Sequence, residues 1–207
     1  MGHSLSRIAA AAGLAAVLSL PALSASSSWR IDPQHTSAQF AVKHLMISTV
    51  RGEFHNVTGT IAWDDQDITK SVVDVTIDAT TVDTREPKRN DHLKSPDFFD
   101  VAKYPTITFK SKRIEQAAPG KLKITGDLTI HGVTKEVVLD VEGPTAAIKD
   151  PWGNARVAAS ATTKINRQDF GVKWNANIDG GGVVVGDDVN VTIDLEMVKQ
   201  APSKTGN

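Results

Sequence analysis

The sequence predicts a mainly β protein, folded as a closed antiparallel barrel of about eight strands, and two observations favour this fold. The first is a period-two pattern in which one apolar residue follows each polar one, seen near residues 73–79, 107–110, 121–130, 136–142, 157–165 and 189–197. Strands with one apolar and one wetted face are typical of antiparallel sheets. The second is the number of such strands. An open sheet of them would expose pairing edges that a barrel removes.

The N-terminal strands and one turn can be placed from the pattern. Strands are predicted at Trp29–Ile31 and Ser37–His44, followed by Thr49–Phe54 and Gly59–Trp63 as two strands or one bent strand. His131-Gly132 separates two alternating segments and predicts a two-residue hairpin turn, because glycine readily supplies a positive φ.

One segment of the chain, residues 86–100, has no β pattern and predicts a short helix followed by a compact turn. Pro87 suits the first turn of a helix, and Ser95-Pro96 would end that helix and begin the next turn. Phe98 and Phe99 stand in a polar frame and need an apolar surface to cover them. We therefore expect this segment to close one end of the barrel as a plug or lid.

The ends of the chain differ from this domain. Arg7 is the only charge in residues 1–25, and the apolar run Ile8–Leu20 is followed by Pro21 and small residues. This pattern predicts a secretory signal peptide over 1–25, since the run is short for a membrane span of about 20 residues. An uncut N-terminal anchor is the alternative. The remainder is predicted as one barrel domain over 26–200 and a polar, disordered tail over 201–207.

The composition excludes several functional classes. The chain has no cysteine, so neither a disulfide framework nor a thiol nucleophile is available. Its formal net charge is −1, and its basic residues are scattered among acidic ones, which argues against a nucleic-acid partner. A domain of this size buries about 70% of its unfolded surface and needs no covalent staples.

The interior of an eight-stranded barrel is either filled by side chains or able to hold one small ligand. Several predicted inward positions are small, which favours an internal cavity; they are Ala38, Ala79, Gly126, Ala159 and Ala161. The alternative is a packed core in which these positions face bulky partners. The side chains expected to line the cavity are Phe40, Val42, Phe54, Leu93, Phe98, Phe99, Phe109, Leu128, Ala159, Ala161, Phe170 and Trp174.

Catalytic and metal-binding patterns are not found in the sequence. There is no Gly-x-Ser-x-Gly elbow, His-Glu-x-x-His pair or phosphate-binding loop. His44 and His55 could converge from neighbouring strands, and Asp91-His92 resembles an acid–histidine pair, although helix neighbours point apart. We predict no catalytic residue, no resident metal and no cofactor.

Five segments together resemble the YceI-like, polyisoprenoid-binding proteins. They span the chain from Trp29 to Gly171, and the resemblance covers essentially the whole region after the predicted signal. The motifs are Trp29-x-Ile31-Asp32-Pro33-x-His35-Thr36-x-x-x-Phe40, Asp91-His92-Leu93-x-Ser95-Pro96-Asp97-Phe98-Phe99-Asp100, Tyr104-Pro105-Thr106-Ile107-x-Phe109, Gly126-Asp127-Leu128-Thr129-x-His131-Gly132-Val133-Thr134-Lys135 and Asn166-Arg167-x-Asp169-Phe170-Gly171.

The resemblance implies an extended, lipocalin-like barrel with a hydrophobic tunnel and a periplasmic location. It also implies binding of a long isoprenoid or another amphiphilic lipid, with fatty-acid-like and quinone-like molecules as further candidates. Cationic groups suited to a lipid head group are predicted at the barrel rim. The candidates are His44, Arg51, Arg89, His92 and Arg167, with Arg85, Lys103 and Lys173 considered beside them.

Three functions are compatible with these observations. The preferred one is a non-enzymatic carrier or sequestering protein, without stable membrane insertion after signal removal and with a possible homodimer. The second is an enzyme that uses His44 or His92 on an apolar substrate in the same cavity. The third is a stress-response or interaction module whose barrel is solid.

Overall fold

The computed structural model describes residues 26–178 and 181–201. The predicted signal peptide and residues 202–207 of the predicted tail lie outside the described residues. Within these ranges, no helix combines the length and the hydrophobicity that crossing a bilayer requires.

Eleven strands and one α-helix make up the described chain. The strands are β1 (Ser26–Ile31), β2 (Ser37–His44), β3 (Ser48–Phe54), β4 (Val57–Asp64), β5 (Val72–Asp78), β6 (Thr106–Ala118), β7 (Lys121–Ile130), β8 (Val133–Glu142), β9 (Ile148–Lys149), β10 (Ala155–Asn166) and β11 (Val185–Lys199). The helix is α1 (Pro87–Lys94), and short 3₁₀ turns cover Ile68–Lys70, Ala79–Thr81 and Arg167–Phe170.

Eight of the strands close into an antiparallel barrel, as the sequence predicts. Around the ring the order is β11, β1, β4, β5, β6, β7, β8 and β10, and the pairing of β10 with β11 closes it. The β10–β11 ladder is long and runs in unbroken register from Arg156 opposite Val198 to Asn166 opposite Asp188. The barrel is therefore fastened along its full height at this seam.

The hairpin formed by β2 and β3 extends one end of the barrel. β1 and β2 pair with successive parts of the same edge of β11, because the chain breaks strand geometry between Asp32 and Thr36. β3 and β4 are likewise separated at Asn56, which has a φ of 57°. Because of this bend β4 pairs with β5, whereas β3 pairs with β2 and is also linked by a bridge from Glu53 to Asp83.

The helix α1 lies at the same end of the barrel as the β2–β3 hairpin. This is the segment that the sequence predicts as the plug. Because α1 lies in the connection from β5 to β6, it is held where those strands meet the open end. Pro87 occupies the first turn, where its missing N–H has no partner to lose, and the Glu86 carboxylate accepts from the Lys88 N–H. Ser95 ends the helix, and its N–H donates to the His92 carbonyl.

At the opposite end, Arg156 links three segments that are far apart in the sequence. Its guanidinium donates to Asp32 at 2.7 Å, to Asp150 at 2.8 Å and to Glu196 at 2.6 Å. The hydrogen bond from Arg156, supported by one from His35, lowers the pKa of Asp32 from its ordinary value of 3.8 to about 2. The same guanidinium holds the pKa of Asp150 far below its usual range.

Replacement of Arg156 by methionine is expected to lower the melting temperature at neutral pH by about 5–10 °C, since it strands three half-buried carboxylates. The depressed pKa values give the pH dependence its sign. The stabilisation is present above pH 3.8 and is lost as the pH falls toward 2. The difference between wild type and variant, measured by calorimetry, should therefore shrink in acid.

Lys123→Met is the matched control, because Lys123 pairs with Asp140 at 2.7 Å on the exposed outer face. An exposed pair contributes little to stability, so this variant should melt within about 2 °C of wild type. Equal losses in both variants would contradict a special role for Arg156.

Candidate functional site

A cavity of about 350 Å³ lies inside the barrel and extends to the end that α1 covers; along β11 its lining runs from Val185 to Leu195. Its wall is almost entirely hydrocarbon and comes from six of the eight ring strands, all except β1 and β4, and from the β2–β3 hairpin. The contributing side chains include Ala38, Phe40, Val42, Val50, Phe54, Val73, Val75, Ile77, Ile107, Phe109, Leu128, Ile130, Leu139, Ala161, Ile165, Val189, Val191, Ile193 and Leu195. The volume falls at the lower end of the range usual for ligand sites in proteins.

The end of the barrel opposite α1 contains buried side chains that do not line this cavity. Trp29 and Trp63 lie 6.3 Å apart there, between ring centroids. Further buried side chains that do not line the cavity are Ile61, Ile114, Leu122, Ile124, Val141, Val157 and Met197. The continuous tunnel that the family resemblance implies stays a prediction.

Small side chains create the void at one patch of wall. Ala161 on β10 pairs with Ile193 on β11, which pairs in turn with Ala38 on β2. Both alanines are buried and both line the cavity. The two alanine side chains flank Ile193 at the same height of the barrel. Because they are short, they leave interior volume unoccupied at this position.

Not every predicted small residue leaves space. A Cβ atom at Gly126 would lie 2.5 Å from the Phe109 ring, and one at Gly52 would lie 2.4 Å from the Phe40 ring. The two aromatic rings occupy the space that a side chain would otherwise need at these glycines. For Gly126 this corresponds to the alternative of a packed core. Ala79 is buried but is not among the cavity-lining residues.

An aromatic plug closes the cavity beneath α1. Phe99 meets the edge of Phe54 with ring centroids 5.4 Å apart, and the ring of Phe98 lies 5.3 Å from that of Trp174. His92 makes edge contacts with both Phe98 and Trp174 at 5.0 and 4.9 Å. These residues, together with Leu93, line the cavity. The plug thus joins the helix to the segment that follows β10.

Positively charged or ionisable groups gather where β2 and α1 meet the cavity. Lys43, His44, Arg89 and His92 all line it. Arg89 is held by Thr84, whose hydroxyl and carbonyl each accept a hydrogen bond of 2.8 Å from the guanidinium. Among the described residues, neither Lys43 nor Arg89 takes part in an ion pair. Their charges remain available to an anionic group.

Arg167 lines the cavity but is not an open rim cation. It is 6% exposed and donates to the carbonyls of Val172 at 2.6 Å, Gly186 at 2.9 Å and Trp174 at 3.0 Å. Further bonds reach Val185 and the Asp187 carboxylate, each at 3.2 Å. Burial lowers the pKa of this guanidinium. The placement of Arg167 at the rim is corrected: it fastens the segment carrying Trp174 to β11.

Two other sequence-predicted residues lie away from the cavity. Arg51 is exposed on the outer side of β3, and Ala159 is half-buried against the core, where it borders a second depression. The remaining predicted lining residues all border the cavity, namely Phe40, Val42, Phe54, Leu93, Phe98, Phe99, Phe109, Leu128, Ala161, Phe170 and Trp174. Of the rim candidates, His44, Arg89 and His92 border it at its charged end.

The two histidine arrangements considered from the sequence have different outcomes. His44 and His55 lie beyond opposite ends of β3 and do not converge, which removes that metal site. His92 pairs with Asp97, Nε2 to Oδ2 at 2.9 Å, and not with its neighbour Asp91.

A further cluster of possible metal ligands lies at the other end of the barrel. Asp32, His35 and Glu196 have ligand atoms within 4.8 Å of one another, but Arg156 donates hydrogen bonds to both carboxylates. Sequence reasoning missed this cluster.

Comparison with known proteins places the chain in a family. The YceI-like domain model matches residues 29–197. A UPF0312 protein of Vibrio cholerae is 38% identical over 165 residues, covering 79% of this chain and 87% of the relative. The crystal structure of Burkholderia cenocepacia BcnA is similar with a TM-score of 0.68 and 25% identity, covering 80% of this chain and 98% of BcnA.

A more distant structural relative shares the fold. It is a domain from Saccharophagus degradans that is described as polyisoprenoid-binding and implicated in plant cell wall breakdown. The TM-score is 0.61 at 17% identity, with 83% of this chain and 98% of that domain covered. The family model and the Vibrio relative both extend over most of the barrel and its plug. This chain belongs to the YceI-like family.

Proposed function

We propose that this protein is a non-enzymatic periplasmic binding protein that holds a long isoprenoid or a similar amphiphilic lipid. The observation that supports it is the cavity of about 350 Å³, walled by hydrocarbon and bordered at one end by Lys43, His44, Arg89 and His92. An apolar tail would lie against the barrel wall, and a phosphate or carboxylate head would lie beside the cations. The bound lipid would be transported, stored or sequestered.

The binding energy would come mainly from the tail. Each buried CH₂ contributes about 0.8 kcal/mol, so a chain of ten buried carbons offers about 8 kcal/mol before ordering costs. That attraction has no direction and discriminates weakly between chains. Selectivity between head groups would therefore depend on the charged end of the cavity.

The size of the cavity limits how much of a long chain the closed form holds. A volume of about 350 Å³ accommodates on the order of a dozen water-sized groups, or about two prenyl units. A longer tail needs more room, and the wall formed by Phe98, Phe99 and Trp174 is held by aromatic contacts without a strand ladder. We expect the plug to move outward around a long ligand.

One structural relative is described with the same class of ligand. The Saccharophagus degradans domain is described as polyisoprenoid-binding, and it has this barrel fold. Fatty-acid-like and quinone-like lipids suit the same apolar wall and are kept as candidates. The predicted signal peptide accounts for a periplasmic location, and a homodimer remains compatible with the proposal.

A second candidate is an enzyme acting on an apolar substrate, and the pair formed by His92 and Asp97 is the observation in its favour. The His92 side chain is 40% exposed and that of Asp97 is 55% exposed. Both groups are therefore wetted, which makes a tuned acid–base pair hard to maintain. We favour binding without turnover, in which the lipid is recovered chemically unchanged.

The test is a fluorescence titration of delipidated protein with a prenyl phosphate and with the prenol of the same chain length. Trp174 lines the cavity and should report uptake of both. Wild type should prefer the phosphate, and Arg89→Gln should reduce that preference by about tenfold through loss of one charge-assisted hydrogen bond. Mass spectrometry of the extracted lipid should show no product.

Arg85→Gln serves as the control, because Arg85 is exposed close to α1 and does not border the cavity. It should leave both affinities unchanged. Failure of wild type to take up either lipid, or conversion of the lipid during incubation, would contradict the proposed function.

A further inference from the structure

The turn between β2 and β3, Leu45-Met46-Ile47, presents apolar side chains to solvent. Met46 is 55% exposed and Ile47 is 83% exposed. They stand at the apex of a hairpin that extends the barrel, and the preceding residues Lys43 and His44 border the cavity. The apolar tip, defined as Leu45–Ile47, therefore lies beside the charged end of the cavity.

The backbone at this tip is unusual for the residues that form it. Leu45 has a φ of 50° and Met46 a φ of 60°. This left-handed region favours glycine and asparagine, whereas bulky side chains adopt it at a cost. The tip is nevertheless well anchored, since the Leu45 N–H donates to Val184 and the Ile47 N–H to His44. A polar or glycine turn would fold more easily here, so neither turn geometry nor burial accounts for the apolar side chains of Met46 and Ile47.

The chain segment that contains the tip carries charges of one sign only. From Lys43 to Gly52 the chain carries Lys43 and Arg51 but no Asp or Glu. Neither cation forms an ion pair within the described part of the chain. The carboxylate of Asp187, on the adjoining part of β11, is bound to Arg167 and Gln168. An apolar apex with flanking cations matches an anionic bilayer surface, where apolar groups enter the acyl boundary and cations meet head groups.

We propose that the apolar tip docks this protein reversibly on an anionic lipid bilayer and places the cavity opening against the membrane for loading and unloading. This proposal rests on the proposed lipid-binding function and adds the source of the cargo. The tip enters the interfacial region, and Lys43 and Arg51 contact anionic head groups. A lipid then exchanges between bilayer and cavity along Lys43 and His44.

The experiment is flotation of the full chain after signal removal with vesicles of phosphatidylethanolamine and phosphatidylglycerol, beside vesicles of phosphatidylcholine alone. Wild type should float with the anionic vesicles and lose binding as salt is raised. The double variant Met46→Asn, Ile47→Ser should bind about tenfold less, because it removes both exposed apolar groups. Asparagine suits the left-handed position, so this variant should fold at least as well as wild type.

Two further variants separate the components of docking. Arg51→Gln should lower binding to the anionic vesicles by about fivefold and flatten the salt dependence. Trp152→Ser is the matched control, because Trp152 is 81% exposed at the opposite end of the barrel. His44 and Arg156 pair with Val185 and Val198 near opposite ends of β11, which places the two turns about 40 Å apart. Trp152→Ser should bind vesicles as wild type does.

Uptake measured in two ways distinguishes failure of this proposal from failure of lipid binding. The tip variant should extract a prenyl lipid from vesicles about tenfold more slowly than wild type, yet bind the same lipid normally when it is supplied in dilute detergent. If wild type takes up the lipid normally from detergent but does not bind vesicles, the docking proposal would be contradicted while the lipid-binding proposal would stand. If wild type is a dimer that does not bind vesicles, and the tip variant is a monomer, the tip would be assigned to contact with a second copy of the chain. Equal vesicle binding by wild type and tip variant would also contradict the proposal.

Discussion

Ala161→Phe is expected to lower the affinity for a prenyl lipid by about 100-fold without unfolding the barrel. Ala161 is 2% exposed and borders the cavity, so a phenyl ring at this position projects into space that the lipid tail would occupy. Displacing about four buried methylene groups costs about 3 kcal/mol, which corresponds to that loss. The affinity is measured by titration with a prenyl phosphate, and the fold by circular dichroism and melting temperature.

The control places the same ring on the outside of the barrel. Ala62 is exposed on β4, between the buried Ile61 and the half-buried Trp63. Ala62→Phe should bind lipid with unchanged affinity. Undiminished binding by Ala161→Phe would mean that the lipid lies elsewhere, and the cavity would then not be the site.

Arg167→Met is expected to lower the free energy of unfolding by about 3–5 kcal/mol, the second large effect. The buried guanidinium donates to carbonyls of Val172, Trp174 and Gly186, and methionine leaves those acceptors without partners away from water. For a chain of this size the melting temperature should fall by about 10 °C. Differential scanning calorimetry and denaturant titration measure the two quantities.

Arg167→Lys gives the sharper comparison, because it keeps the charge but loses the planar fork of donors. We expect it to recover only part of the lost stability, since one ammonium group cannot reach carbonyls on both sides. A lysine variant as stable as wild type would show that charge alone matters at this position. Hydrogen exchange should also be faster in both variants around Trp174, which Arg167 holds in place.

The barrel itself could be predicted because its determinants are local. The alternation in β5, β7, β8, β10 and β11 is a property of neighbouring residues, and each of those strands buries the apolar face the pattern specifies. The same holds for the His131-Gly132 turn, whose φ angles of 51° and 73° form a two-residue hairpin between paired strands. Pro87 and Ser95 marked the ends of the helix for equally local reasons.

The contents of the barrel could be predicted only in part, because they depend on partners across it. Ala161 and Gly126 look alike in the sequence, yet one faces a void and the other supports the ring of Phe109. Which of the two occurs depends on where a distant strand places its side chain. For the same reason the packing of Trp29 against Trp63, neither of which lines the cavity, was not anticipated.

The two arginine sites were missed because their partners are remote in the chain. The alternating pattern predicts Arg156 to be an ordinary outward-facing strand residue. Its partner Asp32 is 124 residues away, so the pattern gives no sign of the ion pair. Arg167 reads as a rim cation because it follows a strand, but Gly186 and Val185, which accept its hydrogen bonds, belong to a different strand. Only the closed fold brings these groups together and buries them. The signal peptide and the tail stay predictions.

Native mass spectrometry of the protein purified gently from its own host tests the central claim most directly. The account predicts a folded protein carrying an apolar molecule of defined mass, which organic extraction releases and tandem mass spectrometry identifies as an isoprenoid or similar lipid. Ala161→Phe prepared in the same way should arrive without it. A wild-type protein that emerges with no adduct, and that takes up no prenyl lipid or fatty acid when these are supplied, would contradict lipid binding in this cavity.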